Sequence, residues 1–204
     1  MKKILLISLV SFSAFSQTSN IFEPIDVFDL EYVSNTQISS NGDKVLYQRN
    51  FNDIMTDESF SNIWLINYDG TNNRPITTGN FKDNSPKWSN QGDKFIFKSN
   101  REGKSQIFLY DLNNNSIQKL TNYQYSIESI QWSPDDNYIL FSSFIDSERD
   151  TLIEMPDKPK GAKWNDPPVE ISDLNYRYDS SGFRKPGEVQ FFTIPVNGGT
   201  PRQI

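Results

Sequence analysis

The sequence predicts an all-β protein, an incomplete β-propeller of about three four-stranded blades. Short runs rich in aromatic and branched residues alternate with turn clusters of Asn, Gly and Asp, which is typical of strands joined by hairpins. One block of about 40 residues, the size of a single blade, recurs along the chain. Apolar residues stand in a row at Phe95–Phe97 instead of alternating, as expected for a strand that is buried on both faces.

Residues 1–16 have the pattern of a secretory signal peptide. Two lysines precede the apolar run Ile4–Val10, and the small residues Ala14 and Ser16 stand before a cleavage site. The alternative is a membrane anchor, but the apolar run is too short to cross a bilayer. We therefore expect an exported protein, periplasmic or secreted, with no membrane span after signal cleavage.

The composition argues against several classes of protein and of site. There are 20 basic and 26 acidic residues and a formal charge of −6, whereas a nucleic-acid-binding protein normally has a basic face. The sequence has no cysteine, so disulfides cannot stabilise it. It has no histidine and no G-x-S-x-G motif, so no Ser-His-Asp triad can be assembled from its residues. We assign no catalytic residue and no cofactor to this chain.

The repeats begin after an opening segment at residues 17–37, in which Asp26 could cap a short helical turn. Each repeat then starts with an apolar residue, a serine, a turn and a strand. This unit aligns without gaps at Ile38–Tyr47, Trp88–Phe97 and Trp132–Phe141. Gly42 and Gly92 occupy a turn position that suits a left-handed backbone, and Asp136 is a tolerated substitute there.

The second half of the unit also repeats, with a tight hairpin before its last strand. Dipeptides that favour positive φ fall at this hairpin in all three copies: Asp69-Gly70, Asn113-Asn114 and Asn197-Gly198. We therefore place the blades at about 38–77, 85–121 and 129–204. A ring of three blades cannot close, so we expect this chain to be the N-terminal fragment of a longer protein.

The third repeat carries an insertion at about 142–188, which makes it about 40 residues longer than the second repeat. A loop of this length is usually either functional or disordered. The charged residues Glu148, Arg149 and Asp150 are the best candidates for a substrate-binding surface, and the alternative is a solvated charged loop. At the end of the insertion, the alternating stretch Leu174–Tyr178 could form an extra strand.

Two other groups of residues have a structural and a functional interpretation. Trp88 and Trp132 occupy equivalent strand positions and are predicted to pack in the core. Arg101 could bind a ligand, but its place in the repeat favours a structural role in a loop between strands.

A third group has the spacing of a metal-binding loop. Asp111, Asn113 and Asn115 are spaced as at the start of a calcium loop, but Ser116 stands where that loop needs Gly and Asn122 where it needs Glu. We predict a polar hairpin turn there and no metal site.

The second repeat resembles the propeller repeat of TolB, a repeat that also occurs in the propellers of the prolyl oligopeptidase family. The residues that carry this resemblance are Trp88-Ser89, Gly92-Asp93-Lys94, Ser99–Gly103 and Gln106–Asp111. Further stretches resemble the acylaminoacyl-peptidase branch of that family, namely Phe28–Ser34, Gln37–Ser39, Leu174–Phe183, Phe191-Phe192 and Gly198–Ile204. The sequence lacks the Glu-Glu motif of the dipeptidyl peptidase IV branch, which also favours this assignment.

The resemblance implies a two-domain serine peptidase in which the propeller gates the access of peptides to a C-terminal α/β-hydrolase domain. The expected partners are a peptide substrate and the protein's own hydrolase domain, which would supply the catalytic residues. The alternative is a non-enzymatic periplasmic propeller that binds protein partners, as TolB-like proteins do. A propeller repeat is specific for the fold and not for a function.

Overall fold

The computed structural model of the protein describes residues 21–147, 156–165, 171, 174–179 and 181–204. The signal peptide predicted at residues 1–16 lies outside these residues, and so do Glu148, Arg149 and Asp150. No helix among the described residues is long and apolar enough to cross a membrane.

A short 3-10 helix, Pro24–Asp29, opens the described chain and is called the opening helix below. Its N-cap is Glu23, and a capping box joins Glu23 to Asp26. Asp26 is therefore the third residue of the helix and not its cap, because the proline at the first helical position sets the start of the helix two residues earlier.

The strands form three four-stranded antiparallel sheets in chain order. The first sheet contains β1 (Tyr32–Ile38), β2 (Lys44–Asp53), β3 (Glu58–Asn67) and β4 (Arg74–Pro75). The second contains β5 (Asn84–Trp88), β6 (Lys94–Ser99), β7 (Gln106–Asp111) and β8 (Ser116–Lys119). The third begins with β9 (Ile127–Trp132) and β10 (Tyr138–Asp146). A two-stranded ribbon of β11 (Arg177–Tyr178) and β12 (Gly182–Phe183) follows, and β13 (Gly187–Pro195) and β14 (Arg202–Gln203) complete the third sheet.

The predicted start of the first blade at residue 38 is too late, because β1 lies within the predicted opening segment 17–37. Polar residues fill the middle of β1, and the pairing of β1 with β2 shifts between Ser34 and Gln37. Asn35 at this shift has a positive φ of 49°. A polar, irregular edge strand of this kind gives no apolar alternation in the sequence.

The insertion in the third blade is shorter than predicted. Strands β10 and β13 pair continuously from Tyr138 opposite Pro195 to Asp146 opposite Gly187. The connection between them is therefore 147–186, and the predicted bounds of about 142–188 include the ends of both strands. The sequence did not reveal this because the serines in β10 are buried polar residues rather than loop residues, and Ser143 donates to the carbonyl oxygen of Ser126. Of the stretch predicted as an extra strand, only Arg177–Tyr178 pairs.

The turn that starts each repeat has the predicted geometry in all three blades. Gly42, Gly92 and Asp136 have positive φ angles of 75°, 72° and 57°. In each case the backbone N–H of this residue donates to the carbonyl oxygen of the serine three residues earlier. The substitution of Asp for Gly in the third blade therefore preserves the turn.

Two hydrophobic clusters lie on either side of the middle sheet. The first joins sheets one and two and contains Leu46, Ile63, Leu65, Phe95, Phe97, Phe108 and Tyr110. The second joins sheets two and three and contains Ile96, Ile107, Leu109, Leu120, Ile127, Ile130, Trp132, Ile139, Phe141, Phe192 and Ile194. Phe95, Ile96 and Phe97 have 0% exposure and divide between the two clusters. The run of three apolar residues is thus a strand buried on both faces, as predicted.

The outer faces of the first and third sheets have no neighbouring sheet within the described part of the chain. On the third sheet, this leaves Val189 and Phe191 about half exposed. On the first sheet, Tyr47 stacks on Trp64 at the partly exposed surface. These faces are those on which further blades would pack in a longer propeller.

Candidate functional site

The two ends of the blades differ, because each strand reverses direction at a hairpin. The turn end carries the tight turns that follow β1, β5 and β9. The loop end carries the connection from β2 to β3, the connection from β6 to β7 and the long connection 147–186. The opening helix contacts β2 and lies at the loop end.

A shallow pocket of about 300 Å³ lies at the loop end, between the opening helix and the end of β2. Its lining residues are Ile25, Phe28, Asp29, Phe51, Asn52, Asp53, Ile54 and Asn80. Two of the lining residues, Ile25 and Ile54, are exposed apolar side chains. Together with Phe22 and Met55, which are also exposed and lie close to them in the sequence, they are called the opening patch below. A group of exposed apolar residues of this kind marks a surface on which another part of a protein packs.

A buried ion pair lies at the loop end between the first and second sheets. Asp83 has 0% exposure, and its Oδ2 accepts a hydrogen bond of 2.8 Å from Nη2 of Arg101. Arg101 also donates to Oγ of Ser99 and lies over the rings of Phe81, Phe97 and Phe108. Arg101 is therefore fully engaged within the chain, and its role is structural, as expected.

Sequence reasoning missed Asp83, although the repeat contains the signal that would have found it. Asp83 and Arg101 of the second blade occupy the positions of Ile127 and Ile145 in the third blade. Where two positions are apolar in one blade and carry opposite charges in another, the two charged residues are predicted to contact each other.

The inner strands β1, β5 and β9 lie side by side and form the wall that faces the propeller axis. A pocket of about 340 Å³, called the channel pocket below, opens on this wall near the turn end. Its lining residues come from all three blades and are Gln37, Ile38, Ser40, Lys87, Trp88, Ser89, Asn90 and Gln131. Gln37, Lys87 and Gln131 are equivalent positions of the repeat, since each precedes the residue that begins the gapless alignment.

The two tryptophans predicted to pack in the core also join neighbouring blades by a hydrogen bond. Nε1 of Trp88 donates to the carbonyl oxygen of Gln37 at 3.0 Å. Nε1 of Trp132 donates to the carbonyl oxygen of Lys87, the equivalent position of the next blade, at 2.9 Å. Trp132 is buried, and Trp88 is half-buried and packs against the first cluster. Each indole thereby fixes the inner strand of the preceding blade.

At the turn end, two aspartates of the third blade have different roles. Hydrogen bonds from the side chain of Ser133 and then from Asn137 lower the pKa of Asp135 to about 2. Asp136 instead bonds to the second blade, where its carboxylate accepts from the backbone N–H groups of Asn90 and Gln91 at 2.8 and 3.0 Å. Both aspartates are therefore bound into turns, one within its blade and one between blades.

The spacing that resembles a calcium loop is a hairpin turn, as predicted. Oδ1 of Asp111 accepts from the backbone N–H of Asn113, and Oδ1 of Asn115 accepts from the hydroxyl of Tyr110. Within the described ranges, no group of three His, Cys, Asp or Glu residues has the arrangement of a metal site.

Comparison with known proteins identifies a family and two relatives. The profile of the TolB beta propeller domain matches residues 50–157, just over half of the chain. A protein of Bacillus subtilis (strain 168) named uncharacterized peptidase YuxL is 25% identical over 180 residues, which are 88% of this chain and 27% of the relative. Dipeptidyl-peptidase 5 of Porphyromonas gingivalis is 26% identical over 166 residues, which are 81% of this chain and 24% of the relative. The chain thus spans about a quarter of the length of these relatives.

A solved structure shows the same fold. The acylaminoacyl peptidase of Pyrococcus horikoshii superposes with a TM-score of 0.63 at 21% identity, over 87% of this chain and 25% of that chain. At this level of identity the likeness establishes the arrangement of strands and blades.

Proposed function

The chain belongs to the TolB β-propeller domain family, and we propose that it is the N-terminal propeller part of an exported serine peptidase of the prolyl oligopeptidase family. The observation that carries this proposal is the similarity over more than four fifths of the chain to two proteins that are named peptidases. In the whole protein, the propeller gates the access of peptides to a C-terminal α/β-hydrolase domain.

The packing of the blades supports a gating role. The middle sheet is buried on both faces, so its two neighbours hold this blade rigidly in place. The inner strands form a continuous wall that is tied together by the indoles of Trp88 and Trp132. A rigid wall around a central channel admits peptides that fit its width and excludes folded proteins.

The reaction itself requires residues outside this chain. A serine nucleophile needs a neighbouring base that accepts its proton, and the sequence contains no histidine. We therefore assign the nucleophile, the base and the oxyanion-binding groups to the hydrolase domain. The residues of this chain position that domain and select the substrate.

The opening patch is the surface that best fits contact with the hydrolase domain. Neighbouring blades cover the faces of a propeller sheet but not its ends. Phe22, Ile25, Ile54 and Met55 lie at the loop end, and the exposure of Met55 reaches 86%. A domain seated on this end would cover these side chains and would stand over the mouth of the channel.

The decisive experiment uses the whole protein. We expect a fluorophosphonate probe to label one serine outside residues 1–204, and the same reagent to abolish hydrolysis of peptide p-nitroanilides. A variant with alanine at the labelled serine is the control. A protein that is neither labelled nor active on a panel of free and N-blocked peptides would contradict the proposal. Residues 17–204 alone should show no hydrolysis.

A non-enzymatic TolB-like propeller that binds protein partners is the second candidate. It is favoured by the family match itself, because the matching profile is that of the TolB propeller domain. The same labelling experiment separates the two candidates: an unlabelled whole protein with no α/β-hydrolase domain in its sequence supports the second one.

Export of the protein is a separate proposal that rests on residues 1–16. We expect N-terminal sequencing of the mature protein from the periplasm or medium to begin at Gln17. A mature protein that retains Met1 and remains in the cytoplasm would contradict it.

A further inference from the structure

We draw no further inference here: the strongest candidate, the exposed aromatic face that Tyr176 and Phe183 form on the β11–β12 ribbon, has nothing in the described part of the chain to show what covers it, and the channel pocket has no converging set of polar side chains.

Discussion

The two interfaces of the middle sheet share one backbone arrangement and differ in chemistry. Between the first and second sheets, aromatic rings and a buried polar network fill the space. Between the second and third sheets, the cluster is mainly aliphatic, with Phe141 stacked on Phe192 at a centroid distance of 5.3 Å. The repeat thus sets the distance between neighbouring sheets. The side chains at each interface determine which two sheets can pack together.

The polar network of the first interface is continuous. Nδ2 of Asn35 donates to Oε1 of Gln48 at 2.7 Å, and Nε2 of Gln48 donates to Oδ1 of Asn50 at 2.6 Å. Ser85 of the second blade donates its backbone N–H to the same oxygen of Gln48. Such a network stabilises the fold only when all its members are satisfied, so it favours one register of the two blades over alternatives.

The second interface also has a polar contact at the surface. Asp136 accepts from two backbone N–H groups of the second blade, and Nδ2 of Asn90 also donates to it. At the equivalent place in the first interface, Gly92 lies so close to Ser40 that a Cβ atom would come within 2.8 Å of the serine Oγ. The two interfaces therefore use the same turn position in opposite ways, one for a bond and one for close approach.

The largest expected effect comes from the two faces of β6. Phe97→Ala removes a fully buried ring from the first interface and should lower the free energy of unfolding by about 4 kcal/mol. Ile96→Ala should lower it by about 3 kcal/mol at the second interface. Urea unfolding of the whole protein, followed by tryptophan fluorescence, measures both, and Tyr68→Ala at an exposed turn is the control. Equal stability of all three variants would show that the middle sheet is not the core.

The buried ion pair gives the next largest effect. Asp83→Ile leaves Arg101 without its carboxylate and should cost about 3 kcal/mol. The double variant with Arg101→Ile reproduces the pair Ile127 and Ile145 of the third blade and should recover most of the loss, because two apolar groups replace two charges. The difference is read from urea midpoints. A double variant no more stable than the single one would mean that the first interface requires the charges.

The indole hydrogen bonds provide an intermediate effect on both interfaces. Trp88→Phe and Trp132→Phe each leave a carbonyl oxygen of the preceding inner strand without its donor. We expect a loss of about 1–2 kcal/mol for each, with similar values at the two interfaces. Hydrogen exchange at β1 and β5 should report the same change locally. A loss confined to one interface would show that the two bonds are not equivalent.

A smaller effect is expected at the turn end of the second interface. Asp136→Gly keeps the left-handed turn but removes the carboxylate that accepts from Asn90 and Gln91, with an expected cost of about 1 kcal/mol. Gly92→Ala is the complementary change at the first interface, where the added Cβ meets Ser40. Thermal unfolding compares the two variants with the parent. If the unfolding midpoint of Asp136→Gly equals that of the parent, this contact does not stabilise the interface.

The smallest effect is a dependence on acid pH at Asp135. Its pKa is lowered from 3.8 to about 2, so its contribution to stability is complete above the unfolded pKa and is lost as the pH falls through about 2. Asp135→Asn should therefore flatten the decline of the unfolding midpoint between about pH 4 and pH 2. Because this carboxylate is exposed, the change should be minor. If the unfolding midpoint of Asp135→Asn falls with pH as steeply as that of the parent, another group controls the decline.

Regular features of the repeat could be predicted from the sequence, and departures from it could not. The apolar run Phe95–Phe97 and the turn glycine Gly92 follow directly from periodicity and backbone sterics. Strand β1 was missed because it is polar and bulged at Asn35. Asp83 was missed because a lone acidic residue in a linker has no periodic signal until its partner is considered. The assignment of Glu148, Arg149 and Asp150 to a substrate-binding surface stays a prediction.

The indole bonds give the chain a direction of assembly. In both observed cases, the donor belongs to the later blade and the acceptor to the blade that precedes it, as in Trp132 and Lys87. Because the acceptor blade leaves the ribosome first, it can form its own hairpins before the next blade is made. The next blade then docks against an inner strand that is already folded. For the blades of this chain, the order of synthesis and the order of docking are therefore the same.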